Sequence, residues 1–177
     1  MNDGKLFLHS PTKLNLKLIE KINNLGKVAF IVAPNKLHHL FLASYVELYP
    51  NAIFYAAPGL AKKRKDIKFN ENLKDQPSKE WSDEVDQMIF NGCAFLKEVF
   101  FFHKSSKSLI VSDFLLSMHV HHNFIERILG RIGCVFNYPS PPRDLRLMFY
   151  LDLKKTRQSI KRVNEWDFDK IILSHGK

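Results

Sequence analysis

Val28-Ala29-Phe30-Ile31-Val32-Ala33-Pro34-Asn35-Lys36-Leu37-His38-His39 runs from an unbroken apolar segment into two adjacent imidazoles. A short apolar run bounded by a Pro-Asn turn signal reads as a buried strand. Leu40, Phe41, Ala43, Tyr45, Val46 and Leu48 then supply the apolar faces of a helix expected over 38–49, which Pro50 stops. His38 and His39 therefore stand where a buried strand hands over to a helix. Neighbouring helical residues point about 100° apart, so only this entry position lets both rings reach one ion. The same grammar returns twice. Ser108-Leu109-Ile110-Val111-Ser112-Asp113 and Lys170-Ile171-Ile172-Leu173-Ser174-His175-Gly176 each end a strand-like run on a metal-capable side chain. Such strand ends can converge on one point.

Outward from this segment, strands and helices alternate. Leu6–Ser10 reads as a first strand, and Leu14–Leu25 as a helix with Gly26 at its C-cap. Ala52–Ala56 is the next strand, closed by Pro58-Gly59. This order argues for a parallel beginning to the sheet. Residues 62–81 are polar, with a short strand expected at Ile67-Lys68-Phe69. Strands expected over 85–90, 98–103 and 109–112 follow, the last two joined by the turn Lys104-Ser105-Ser106-Lys107 into a hairpin. A helix is expected over 124–132, ended by Gly133. A rigid connector spans Pro139–Pro142, a helix 153–166 and a last strand 171–174. The reading is one α/β domain of mixed sheet with no linker or repeat.

The chain has 177 residues, enough for a real core, and its 15 phenylalanines make that core aromatic. No apolar run approaches the ~20 residues of a membrane span. The N-terminus shows no basic-then-apolar signal pattern. Cys93 and Cys134 are too few and too distant for a disulfide framework, which fits a cytoplasmic setting; both read as buried small apolar residues. The net charge of +9 raises the question of nucleic acid. Its two dense clusters are Lys62-Lys63-Arg64-Lys65 and Lys154, Lys155, Arg157, Lys161 and Arg162. Solvated faces explain both, and no aromatic-basic interleaving marks an RNA-binding sheet. Pro58–Lys63 lacks the spacing of a phosphate-binding loop.

The motif order resembles that of the metallo-β-lactamase superfamily. Ala33–His39, Tyr55–Lys63 and Trp166–Asp169 together resemble a branch of it marked by the phrase Ala-Pro-Asn-Lys-Leu-His-His. The resemblance implies a four-layered αββα sandwich with mixed sheets, residues 1–177 forming one such domain. Related sequences usually carry a further C-terminal segment, so one would be missing here. The superfamily signature His-x-His-x-Asp-His, laid on Pro34–His39, finds Pro34 and Lys36 at its first two histidines. His38 takes the place of its Asp, and His39 keeps its last His. The bridging Asp matches Asp113 and the final His matches His175.

The resemblance therefore implies a mononuclear site of His38, His39, Asp113 and His175, suited to one divalent ion. Zinc is the first choice, with iron or manganese as alternatives. A metal-bound water would attack an ester, thioester, lactone or phosphoester of a small molecule. His103, His119, His121 and His122 are acid candidates by residue type, and His9 ends a strand that can reach the same pocket. Lys36 would carry a positive charge into the lost metal position, pair with Asp113 and attract an anionic group of the substrate. The opposing reading is a non-catalytic module on the same scaffold, binding nucleic acid or an acidic partner through its basic surface. In that case His38 caps a helix and His39 hydrogen-bonds to Asp113.

Overall fold

The structure, a computed structural model, describes residues 1–117 and 139–175. The helix expected over 124–132, together with His119, His121, His122, Gly133, Cys134 and Gly176, lies outside the described residues. Two four-stranded sheets form the centre. The first takes β1 (Lys5–His9), β2 (Lys27–Ala33), β3 (Ile53–Ala56) and β4 (Glu71–Asn72), all parallel. The second takes β5 (Val85–Ile89), β6 (Val99–His103), β7 (Ser108–Val111) and β8 (Lys170–Leu173). Its first three strands pair antiparallel, and β8 lies parallel to β7.

Crossover helices set the parallel half. α1 (Leu16–Leu25) begins where the Asn15 side chain accepts a hydrogen bond from the Leu18 N–H, a normal N-cap. It returns the chain from β1 to β2, and α2 (Leu42–Leu48) does the same between β2 and β3. Both cover the outer face of the first sheet through Ile22, Val28, Ile31, Leu42, Tyr45 and Phe54. A register shift opposite Leu6 and Phe7 lets β2 send Val28 and Ile31 to that face and Phe30 and Val32 to the other. The inner faces of the two sheets meet through Phe30, Val32, Tyr55, Trp81, Val85, Val99 and Phe101. Beyond the second sheet, Met88, Phe100, Leu109 and Val111 pack with Val163 and Phe149. Those two residues come from α5 (Leu153–Val163) and α4 (Arg143–Leu151). Reading across the molecule gives helices, sheet, sheet, helices, the expected four-layered αββα sandwich.

Val99-Phe100-Phe101-Phe102 shows why the second sheet sits in the middle. Its side chains alternate between the two cores and all four are buried, as a strand covered on both faces requires. Several local expectations shift. The helix expected from His38 begins only at Leu42, because Asn35 Oδ1 accepts from the N–H groups of both Leu37 and His38 and folds them into a turn. No strand forms at Ile67-Lys68-Phe69; the pairing to β3 comes at Glu71–Asn72. There Asn70 closes on Phe54 from both sides, donating its N–H to the Phe54 carbonyl and accepting the Phe54 N–H on Oδ1. α4 and the short α3 (Leu60–Lys63) have no counterpart in the expected elements.

Candidate metal centre

Parallel register brings the first two side chains together. Val111 is opposite Leu173 across β7 and β8, so Asp113 and His175 both lie two residues past the last pair. The hairpin end is tied to the first sheet where the Val99 N–H donates to the Pro34 carbonyl. That contact brings the turn after β2, with His38, beside them. The Nε2 atoms of His38 and His175 lie 3.1 and 3.2 Å from Asp113 Oδ1, and 3.1 Å from each other. With bonds of about 2.1 Å to one ion, donors would stand about 3.0 Å apart at a right angle and about 3.4 Å apart at the tetrahedral angle. The triangle falls between, and its two imidazoles and one carboxylate are the donor types divalent transition metals take. Among the described residues this is the one group of three or more such side chains close enough to hold an ion.

The surroundings aim the donors. Ser10, at the end of β1 with the left-handed φ of 51°, places its Oγ against His38 Nδ1 and leaves Nε2 facing the cluster. Asn35 is fully buried; its Nδ2 donates to Asp113 Oδ2 at 2.7 Å and to Ser112 Oγ at 3.0 Å. Asp113 Oδ1 is thereby turned towards the imidazoles. Beneath the loop, the buried Glu98 accepts the N–H groups of Ser112, Asp113 and Phe114 at 2.6, 3.0 and 2.9 Å. Burial pushes the Glu98 carboxyl up to about 7, and the nearby Asp113 charge adds to that, while the Ser112 N–H opposes it. For Asp113, burial alone would raise the pKa. Hydrogen bonds from His38 and Asn35, with the charge of the imidazoles, outweigh it and hold the carboxyl below its ordinary range.

Of the residues singled out by sequence, His38, Asp113 and His175 meet. His39 does not join them. Arg64 Nη1 donates both to its Nδ1 at 2.8 Å and to the His39 carbonyl at 2.7 Å. Burial first, then the charges of Lys63 and Arg64, lowers the His39 pKa and keeps the ring neutral. The proposed pair of Lys36 with Asp113 is not formed either. Lys36 runs along Gly59, where an added Cβ would lie 3.1 Å from its Cε, and that glycine has a left-handed φ of 85°. His103 sits at the opposite end of β6 from Glu98, bonded to Ser106 in the hairpin turn, roughly 15 Å of strand away. His9 lies edge-on to Phe101, and burial, then the charge of His38, pushes its pKa down to about 3. Sequence reading missed Ser10, Asn35 and Glu98. A carboxylate entering the apolar run Val99–Phe102 was the available signal for the last.

The sandwich with this cluster at its strand ends is a metallo-β-lactamase-fold protein, and solved structures agree. The DIM-1 metallo-β-lactamase superposes with a TM-score of 0.64 at 17% identity, covering 100% of this chain and 77% of that one. TMB-1 gives 0.62 at 14% identity, covering 98% and 74%. A metallo-β-lactamase from Pontibacter korlensis gives 0.59 at 12% identity, covering 97% and 73%. Identities this low establish a shared fold and no more. By sequence, residues 1–128 match the family described as Domain of unknown function (DUF4336), and the chain belongs to that family. No curated protein matches it by sequence.

Proposed function

We propose that this protein is a metal-dependent hydrolase using one divalent ion, zinc first, held by His38, Asp113 and His175. The observation that carries the reading is the triangle of Nε2, Nε2 and Oδ1 with edges of 3.1, 3.1 and 3.2 Å. Three side chains from three separate strand ends offer one donor atom each to the same point. When bound, such an ion polarises a carbonyl and lowers the pKa of water towards neutrality. The chain's own residues supply the rest. Ser10 fixes the ring of His38, and Asn35 fixes the rotamer of Asp113. Glu98 fixes the backbone that carries Asp113. His39, engaged by Arg64, braces the turn rather than donating to the ion.

Metal analysis and calorimetric titration of chelator-treated protein with zinc, manganese and ferrous iron test this. One equivalent should bind wild type. His175→Ala and Asp113→Asn should each lose it, while His39→Ala should keep the stoichiometry. A wild-type protein that takes up no ion, or an H39A variant that loses it as completely as H175A, would sink the three-donor assignment.

A further inference from the structure

The cluster opens into a cavity of about 560 Å³, within the roughly 300–1,000 Å³ usual for small-molecule sites. Its lining is unlike the rest of the molecule. The chain carries 27 Lys and Arg against 18 Asp and Glu. Yet among the described residues no Lys or Arg lines this cavity, and Asp113 is its sole carboxylate. Lys36, the cation expected to draw an anionic substrate, is not among the lining residues. The walls are Leu37, Leu40 and Phe41 from the turn after β2, facing Ile110, Ile172 and Leu173 from the second sheet. Several of these stay in water, with Leu40 71%, Ile172 51% and Phe41 40% exposed. Large apolar side chains left exposed around a cavity mouth gain free energy when an apolar body covers them. The largely buried His38 and Asp113 and the half-exposed His175 line the same cavity as these apolar side chains, the arrangement of a site that orients one polar group of a mainly apolar ligand.

Resting on the hydrolase reading, we infer that the substrate is a neutral carboxylic ester, thioester or lactone with an apolar acyl chain, received by Leu40, Phe41 and Ile172. Hydrolysis of such a bond balances without a co-reactant. The oxygen of water bonds to the acyl carbon, the bond from that carbon to the leaving oxygen or sulfur breaks, and the proton released by water ends on the leaving group. The absence of a lining cation among the described residues disfavours phosphoesters and other anions, for which none of these residues supplies a countercharge.

The test separates binding from turnover. Zinc-loaded protein is assayed on p-nitrophenyl acetate, butyrate, hexanoate and octanoate, and kcat/KM should rise by up to roughly fourfold per methylene covered. Unreactive 1-alkanols of matching length are titrated in parallel against wild type and Asp113→Asn. Their affinity should rise with chain length in both, because the walls do not depend on the ion. Leu40→Asp and Ile172→Asp, at positions exposed enough to fold normally, should flatten both series and leave zinc stoichiometry unchanged. If no ester is hydrolysed but alkanol affinity rises with length and falls in L40D, the hydrolase reading fails and the apolar site stands. Alkanol affinity independent of length, or stronger binding of alkyl phosphates than of alkanols by L40D and wild type alike, overturns the inference.

Discussion

Asn35 is a neutral side chain with four hydrogen-bonding positions, and all of them are used. Its Oδ1 takes two backbone N–H groups of the turn that carries His38, and its Nδ2 serves Asp113 and Ser112. One buried amide thus sets the distance between two candidate ligands from different sheets. Asn35→Ala leaves two N–H groups and a carboxylate oxygen without partners, which costs about 1–3 kcal/mol. Metal affinity should fall about 10- to 100-fold, as when a ligand loses its orienting partner. Ile22→Ala, a core change on the outer face of the first sheet, lowers stability by a comparable or larger amount and serves as the control. Equal metal affinity in the two variants would reduce Asn35 to a stability residue. His9 makes a second residue-scale case. Its native pKa, about 3, lies below the ordinary 6.5, so the unfolded chain takes up a proton that the native ring refuses. Its contribution is therefore whole above pH 6.5 and is lost as pH falls towards 3, by at most about 1.4 kcal/mol per unit. His9→Phe keeps an aromatic edge on Phe101 and should flatten that part of the acid limb. Denaturant unfolding at about pH 7 and about pH 5 reads the difference, and identical slopes in variant and wild type would refute it.

At the scale of elements, the site is a problem of loop ends. The segment Ser112–Phe114 leaves β7 with three N–H groups pointing into the protein, and Glu98 at the start of β6 receives all three. Such groups are costly to bury unpaired. Glu98→Gln keeps the shape but turns an amide N–H₂ towards at least one of these donors. The expected loss is about 1–3 kcal/mol, with faster hydrogen exchange at Ser112, Asp113 and Phe114 and little local change in the β5–β6 ladder. Uniform acceleration across both sets would mean that Glu98 supports the whole fold and has no special claim on this loop. The sequence made the strands legible because each is a bounded apolar run, and β2, β6 and β8 stand close to their expected places. Asp113 and His175 were legible as strand-end residues for the same reason. The start of α2 was not, because its first turn is taken apart by a side chain, Asn35, whose partners lie far along the chain. α4 escaped because apolar residues such as Leu147, Tyr150 and Leu151 remain exposed on it, so no clean apolar stripe marks its face. His39 was misplaced in the ligand set because adjacency in sequence says nothing of Arg64, which claims its ring.

Across the whole molecule, charge and chemistry are separated. Lys154, Arg157 and Lys161 project from α5 at helical spacing, and all three are exposed without an ion pair among the described residues. Arg162 and Arg64 are paired with Asp75 and Asp66, whereas these three cations of one helix stand clustered and add to the chain's net charge of +9. A face of this kind attracts polyanions by releasing counterions, an effect that weakens steeply with salt and carries no sequence preference. Single-stranded DNA should therefore be retained weakly at low salt, and Lys154→Glu, Arg157→Glu and Lys161→Glu combined should weaken that retention and flatten its salt dependence. The three substitutions lie on solvated positions of a helix that packs through Thr156, Ser159 and Val163, so folding and zinc stoichiometry should not move. The ester chain-length series should also be unchanged, because none of the three residues lines the cavity. If the triple variant lost zinc or turnover together with DNA, the basic helix and the cluster would have to be read as one site, and the neutral substrate would give way to an anionic one that bridges them.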